Sequence, residues 1–162
     1  MVEADQDQLR LVMRQWTTGI TVVSTQYQGN RHGMTVSSFT SVSLQPQVVT
    51  ISLAKSSRTH DLILNAGCFG ITILSTDQKN ISELFAGQTT ESEDRFKGLE
   101  IITLETGAPF IKAGLAFLDC NLIAVHDFGT NSLFIGEVIA AKEGDNGTPI
   151  IYYNQQYHQL QD

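Results

Sequence analysis

At 162 residues, with 41% apolar and 17% charged side chains, the chain has a globular composition and enough length to bury a core without metal or disulfide staples. A formal charge of -7 repels polyanions, which excludes nucleic acid and anionic membrane surfaces as partners unless a local basic patch overrides the mean, and none is visible. No run approaches the roughly 20 apolar residues of a membrane span, and the acidic, polar start Met1 to Arg10 lacks the basic end and apolar block of a secretory signal. A single cytoplasmic domain over 1–162 is expected.

Leu9, Val12, Met13 and Trp16 recur at helical spacing, with Arg10, Arg14 and Gln15 on the other side, and Gly19 ends this amphipathic helix. Ile20 to Thr25 is β-branched and strand-like, and the turn Gln28-Gly29-Asn30 leads to a second strand, predicting a hairpin. That strand runs into Gly33 to Ser43, a Ser/Thr-rich stretch whose β-branched residues fit an extended chain. Leu44-Gln45-Pro46-Gln47 breaks the chain before the strand Val48 to Leu53. Lys55 to Thr59 then precedes a short helix, His60 to Asn65, with Gly67 as its stop.

Cys68 to Leu74 reads as a strand, and Ser75-Thr76-Asp77-Gln78 as the capping box of a helix reaching Phe85, with Gly87 after it. Gln88 to Lys97 is polar, acidic and without apolar periodicity until Phe96, so an exposed loop is expected. In the long strand Gly114 to Val125, Leu118, Cys120, Leu122 and Ala124 share one face while Asp119 and Asn121 mark the other. His126 to Asn131 turns the chain into Ser132 to Ala141, apolar on both faces, which suggests a barrel interior on one side and a second copy of the chain on the other. Ile150 to Tyr153 and a tail with Tyr157 and His158 complete the chain. Cys68 and Cys120 lie in apolar strands without CxxC or His-rich neighbours, as buried reduced thiols do. About seven strands against three short helices predict a mainly β fold, an antiparallel barrel with peripheral helices.

Two segments carry candidate chemistry. In Gly33 to Ser43, the hydroxyls and backbone N–H groups of Ser37, Ser38, Thr40 and Ser41 alternate with Val36, Phe39 and Val42, a mixture suited to a flat, heteroatom-rich ligand; an edge strand meeting water has the same composition. At Lys55-Ser56-Ser57-Arg58-Thr59 a strand feeds a helix start, where unpaired N–H groups, two basic side chains and three hydroxyls form a phosphate-binding arrangement, or an ordinary helix cap with solvated Lys55 and Arg58. There is no GxGxxG or GxxxxGK[ST] motif, and His32, His60 and His158 lack metal-ligand spacing.

From about Met13 to Tyr157 the chain resembles the flavin reductase-like proteins with the FMN-binding split barrel. The resemblance is carried by Thr18 to Val23, Gly33 to Ser43, Val48 to Leu53 with Lys55 to Thr59, Phe69 to Leu74 with Gln78, Phe85-Ala86-Gly87, Asp94-Arg95-Phe96, Gly107-Ala108-Pro109 and Phe134 to Val138, in this order and spacing. It implies a split barrel that binds FMN or FAD and reduces it with NADH or NADPH, hydride passing from nicotinamide C4 to flavin N5. By the same resemblance Thr35, Val36, Ser37, Ser38, Phe39, Thr40 and Ser41 line the polar edge of the flavin ring, and Ser52 and Leu53 follow the ribityl chain. Lys55, Ser57, Arg58 and Thr59 take the phosphate, Phe85 and Ala86 flank the cofactor, and Arg95 contacts flavin or nicotinamide. A homodimer and a flavin-dependent monooxygenase receiving the reduced flavin are the implied partners. One position departs: the family's usual His in the turn Gly129-Thr130-Asn131-Ser132 is Asn131, which is expected beside the nicotinamide and cannot titrate. A flavin-binding carrier or electron-transfer module with little reductase activity is therefore the alternative.

Overall fold

The computed structural model describes residues 5–87 and 94–160. Asp5 caps α1 (Gln6–Met13), its carboxylate accepting from the Gln8 N–H at 2.7 Å. Next come β1 (Thr18–Gly19) and the hairpin of β2 (Thr21–Tyr27) and β3 (Asn30–Val36), whose turn holds Gln28 and Gly29 at positive φ. β4 (Thr40–Leu44) and β5 (Gln47–Ala54) flank the predicted break at Pro46, and α2 (Arg58–Ala66) ends at Gly67 with φ +68°. After β6 (Cys68–Ile73) a 3-10 turn, Thr76–Gln78, leads into α3 (Lys79–Phe85), with both halves of the predicted capping box formed around Ser75 and Gln78. Two short strands, β7 (Ile101–Ile102) and β8 (Phe110–Ile111), precede the long hairpin of β9 (Ala116–Phe128) and β10 (Asn131–Glu143), and β11 (Ile151–Tyr153) and β12 (Gln156–His158) form a terminal hairpin.

Seven strands make one antiparallel sheet in the order β3-β2-β6-β9-β10-β5-β4. Its two edges, β3 and β4, are consecutive in the chain, so Val36 and Thr40 are joined by at most about 14 Å of backbone. The sheet must therefore curl until its edges approach, leaving one open seam at Ser37 to Phe39. This is the mainly β, antiparallel split barrel with peripheral helices that the sequence predicts. Val23, Ile51, Phe69, Ile71 and Phe134, all fully buried, fill the barrel, and a second cluster around Val22, Leu74, Phe85 and Phe96 packs below α3 and the terminal hairpin. Gly136 is required where it stands, since a Cβ there would lie 2.5 Å from the Phe69 ring.

Several expectations are corrected. The stretch Gly33 to Ser43 is not one extended segment, because pairing stops at Val36 and resumes at Thr40. α1 ends at Met13, short of Gly19, and its apolar residues do not enter the core: Leu9, Val12, Met13 and Trp16 are each more than half exposed. Asp119, on the face opposite Cys120, is fully buried, and its carboxylate accepts from the Thr106 N–H at 2.8 Å and the Thr106 hydroxyl. In the predicted loop Gln88 to Lys97, residues 88–93 lie outside the described residues, but Arg95 and Phe96 are buried. Ser132 to Ala141 alternates, with Ser132, Phe134 and Gly136 buried and Ile139 exposed.

Candidate active site

The seam is where the polar stretch stands. Ser37 and Ser38 are exposed and Phe39 is half-buried against the barrel core. Ser38 ties the seam to β5: its hydroxyl accepts from the Ser52 N–H at 2.9 Å and donates to the Ser52 carbonyl at 3.0 Å. That use consumes the single hydroxyl proton, so what the seam can offer a ligand is chiefly backbone and the Ser37 hydroxyl.

Two cavities meet at the seam, sharing Ile20, Ser37 and Tyr152 as wall. The smaller, about 380 Å³, brings together Thr35, Ser37, Ser57, Arg58, Thr59, Phe85, Ala86 and Arg95. The larger, about 790 Å³, takes Ser37, Ser38, Phe39 and Thr40 on one side and residues of α1 on the other. Of the other predicted residues, Val36 and Leu53 turn their side chains into the core. Ser41, Ser52, Lys55 and Asn131 line neither cavity, although Ser52 is bonded to the seam through Ser38.

At the helix start Ser57 is the N-cap of α2, its hydroxyl accepting from the His60 N–H at 3.3 Å, and Arg58 and Thr59 form the first helical turn. Thr59 is fully buried, with Oγ1 2.8 Å from His32 Nδ1. Arg95 Nη1 donates to the Gly33 carbonyl at 3.0 Å and the Phe85 carbonyl at 3.1 Å, joining β3 to the end of α3. Phe85 meets Phe96 edge to face at a 4.9 Å centroid distance, closing the cavity floor. Thr35 donates to the Ser82 carbonyl, and Ser82 pairs with the Tyr157 hydroxyl at 2.9 Å.

His32 was not among the residues expected here. It is buried beside Arg95 and Arg58, and burial followed by those two cations pushes its imidazole down to about pKa 4, so it is neutral near pH 7. The period-2 alternation back from Val36 through Met34 puts His32 on the same face, which is the signal that could have found it. Tyr152 and Tyr157 arrive through the pairing of β1 with β11, for which the sequence holds no local sign.

The turn bearing Asn131 is clamped to the start of α2. The Lys55 N–H donates to the Thr130 carbonyl at 2.9 Å, and Lys55 Nζ pairs with Asp127 at 2.9 Å. Ser132, fully buried, donates to Asp127 Oδ1 at 2.7 Å and therefore accepts, at 2.9 Å, a proton carried on His60 Nε2. The Ser132 hydrogen bond, then Lys55, holds the Asp127 carboxyl below the usual carboxylate range. Asn131 itself opens β10 opposite Ala54, its Oδ1 accepting from the Thr130 hydroxyl at 3.1 Å.

A basic, hydroxyl-lined helix start joined through an open seam to a second, larger cavity suits a ligand with an anionic end and a planar, heteroatom-rich end. Comparison with known proteins agrees. The family described as "Flavin reductase like domain" matches residues 13–161. The FMN reductase (NADH) SmoA of Agrobacterium fabrum is 39% identical over 137 residues, covering 85% of this chain and 76% of its own. The reductase subunit HsaB of a flavin-dependent monooxygenase from Mycobacterium tuberculosis is 31% identical over 157 residues, covering 96% and 82%. The solved structure of the NADH:FAD oxidoreductase SgcE6 of Streptomyces globisporus C-1027 superposes with a TM-score of 0.92 at 29% identity, covering 100% of this chain and 98% of that one. Matched along nearly its whole length, the chain belongs to the flavin reductase-like family.

Proposed function

We propose that the chain is an NAD(P)H-dependent flavin reductase, working as a single cytoplasmic domain that binds FMN or FAD and supplies reduced flavin to a partner monooxygenase. The observation that carries this reading is Ser37, which belongs at once to the cavity holding Ser57 and Arg58 and to the cavity beyond the seam. The helix start and Arg58 receive the flavin phosphate, and the seam backbone with the Ser37 hydroxyl hydrogen-bonds the polar edge of the ring. Bound flavin supplies the hydride-accepting ring, so the protein's own task is to orient two rings and exclude water. Ser38, fastened to β5, keeps the seam at a constant width, and the Lys55, Asp127, Ser132 and His60 chain holds the Asn131 turn against the phosphate end. Arg95 acts from beneath, fixing β3 to α3.

The test is anaerobic addition of NADH to flavin-loaded protein, read as bleaching at about 450 nm. Rapid bleaching is expected; retention of oxidised flavin over minutes would instead favour a carrier or electron-transfer module, the reading that Asn131 in place of a titratable group supports. We also assign the exposed Ile123, Phe128 and Ile139 of the β9–β10 hairpin to a homodimer contact. Light scattering is expected to give twice the chain mass at micromolar concentration, and a monomer would remove that assignment.

A further inference from the structure

α1 is mounted the wrong way round for a helix that serves the core. Its apolar residues stay in solvent, while Arg10, Met13 and Arg14 form one wall of the larger cavity, facing the seam. Two backbone and side-chain contacts set it there: the Asn154 N–H donates to the Arg14 carbonyl at 3.0 Å, and the Tyr153 hydroxyl to Gln15 Oε1 at 3.0 Å. A helix that gives up apolar burial and sets two arginines in the wall of a cavity needs a reason, and an anionic ligand supplies one.

The chemistry on that wall is specific. Arg10 and Arg14 stand at i and i+4, on one face and about 6 Å apart, a spacing that fits two linked phosphates. Arg10 now pairs with Asp7 at 3.0 Å, but both side chains are more than two-thirds exposed, and such a pair is weak enough to be exchanged for a phosphate. Asp7 and Asp5 are the acidic groups nearby on the same segment, and they limit the affinity for anions without an aromatic part. Trp16 lies at the edge of the cavity and is 67% exposed, an open stacking surface for a base. Thr18 Oγ1, in the same wall, is buried with no hydrogen-bond partner among the described residues.

We propose that Arg10, Arg14 and Trp16 form a site for the adenosine diphosphate moiety of the pyridine dinucleotide donor, which reaches α1 when the nicotinamide half lies at the seam; FAD does not supply it, because the phosphate next to its ribityl chain is the one received at Arg58 in the other cavity. The source of that moiety rests on the flavin reductase reading; the site itself does not. Trp16 is the only tryptophan of the chain, so its emission reports from this cavity alone.

ADP-ribose titrated into the full-length protein, without flavin, is expected to change Trp16 emission saturably. In the Arg10→Ala and Arg14→Ala variants the half-saturation is expected to rise roughly tenfold or more, the size of a lost charge-assisted contact. Both variants are also expected to raise KM for NADH but not for reduced nicotinamide mononucleotide, and to leave the affinities for FAD and FMN unchanged. Unchanged Trp16 emission up to millimolar ADP-ribose would overturn the proposal, as would variants whose constants for ADP-ribose and NADH both match the wild type. FMN binding followed by flavin absorbance tests the reductase reading separately, so either can fail without the other.

Discussion

Lowering the pH tests the reading of His32 as a neutral residue beneath the phosphate turn. Its imidazole has a folded pKa of about 4 against an ordinary value of 6.5, depressed by burial and then by Arg95 and Arg58, with Asp94 opposing. Because the fold disfavours the charged form, the unfolded chain binds the extra proton first. Stability is therefore fully present above pH 6.5, falls as pH drops from 6.5 toward 4, and stops falling below that. Between pH 7.5 and 4.5 the linkage amounts to about 2 to 3 kcal/mol, a large share of a small domain's stability. Urea unfolding of the flavin-free protein at intervals over that range measures it, with His32→Gln as the control, since an amide also pairs with Thr59 and does not titrate. The variant is expected to lose less stability on acidification by about that amount. Equal slopes in the two proteins would refute the reasoning and mean that His32 is already hydrated or charged in the fold.

Arg58→Ala is expected to weaken FMN binding about tenfold or more, as measured by fluorescence quenching, and to leave riboflavin, which lacks the phosphate, unaffected. Thr59→Ala is expected to act on stability rather than on the ligand, because the Thr59 hydroxyl is already committed to His32. Ser132→Ala strips a partner from both Asp127 and His60 and is expected to cost about 2 kcal/mol, seen as a lower Tm, with KM for NADH raised more than the flavin Kd. Asn131→His is expected to introduce a titration near pH 6.5 into stopped-flow flavin reduction while keeping flavin affinity; identical pH profiles would place Asn131 away from the reacting rings.

What the sequence made legible is local. The Ser75 to Gln78 box, the Gly67 stop and the Gln28-Gly29 turn each depend on a few adjacent residues, and all three form as read. What it concealed is carried by partners distant in the chain. His32 meets Thr59 across 27 positions, and Arg95 reaches back 62 to Gly33. Arg95 also shows why polarity misleads: a guanidinium whose donors find two carbonyls can be buried, so an acidic, aperiodic stretch read as an exposed loop ends inside the protein. α1 misleads in the opposite sense, because a periodic apolar stripe says only that a face wants cover, not that this chain's core provides it.

Charge balance explains why His32 must stay neutral for the cavity to serve a flavin. Arg58 and Arg95 bring two positive charges to the cavity, Asp94 offsets part of that field, and a phosphate monoester carries about -1.5 to -2 near pH 7. Two guanidinium groups and a helix start already match that ligand. A third cation buried between them would repel both in the empty site and cost stability on the scale just derived, whereas an uncharged imidazole fixes Thr59 and leaves the field unchanged. Binding of the phosphate offsets the cationic field at His32 and raises its pKa, so the acid sensitivity of the flavin-free protein should shrink when FMN is bound and persist with riboflavin.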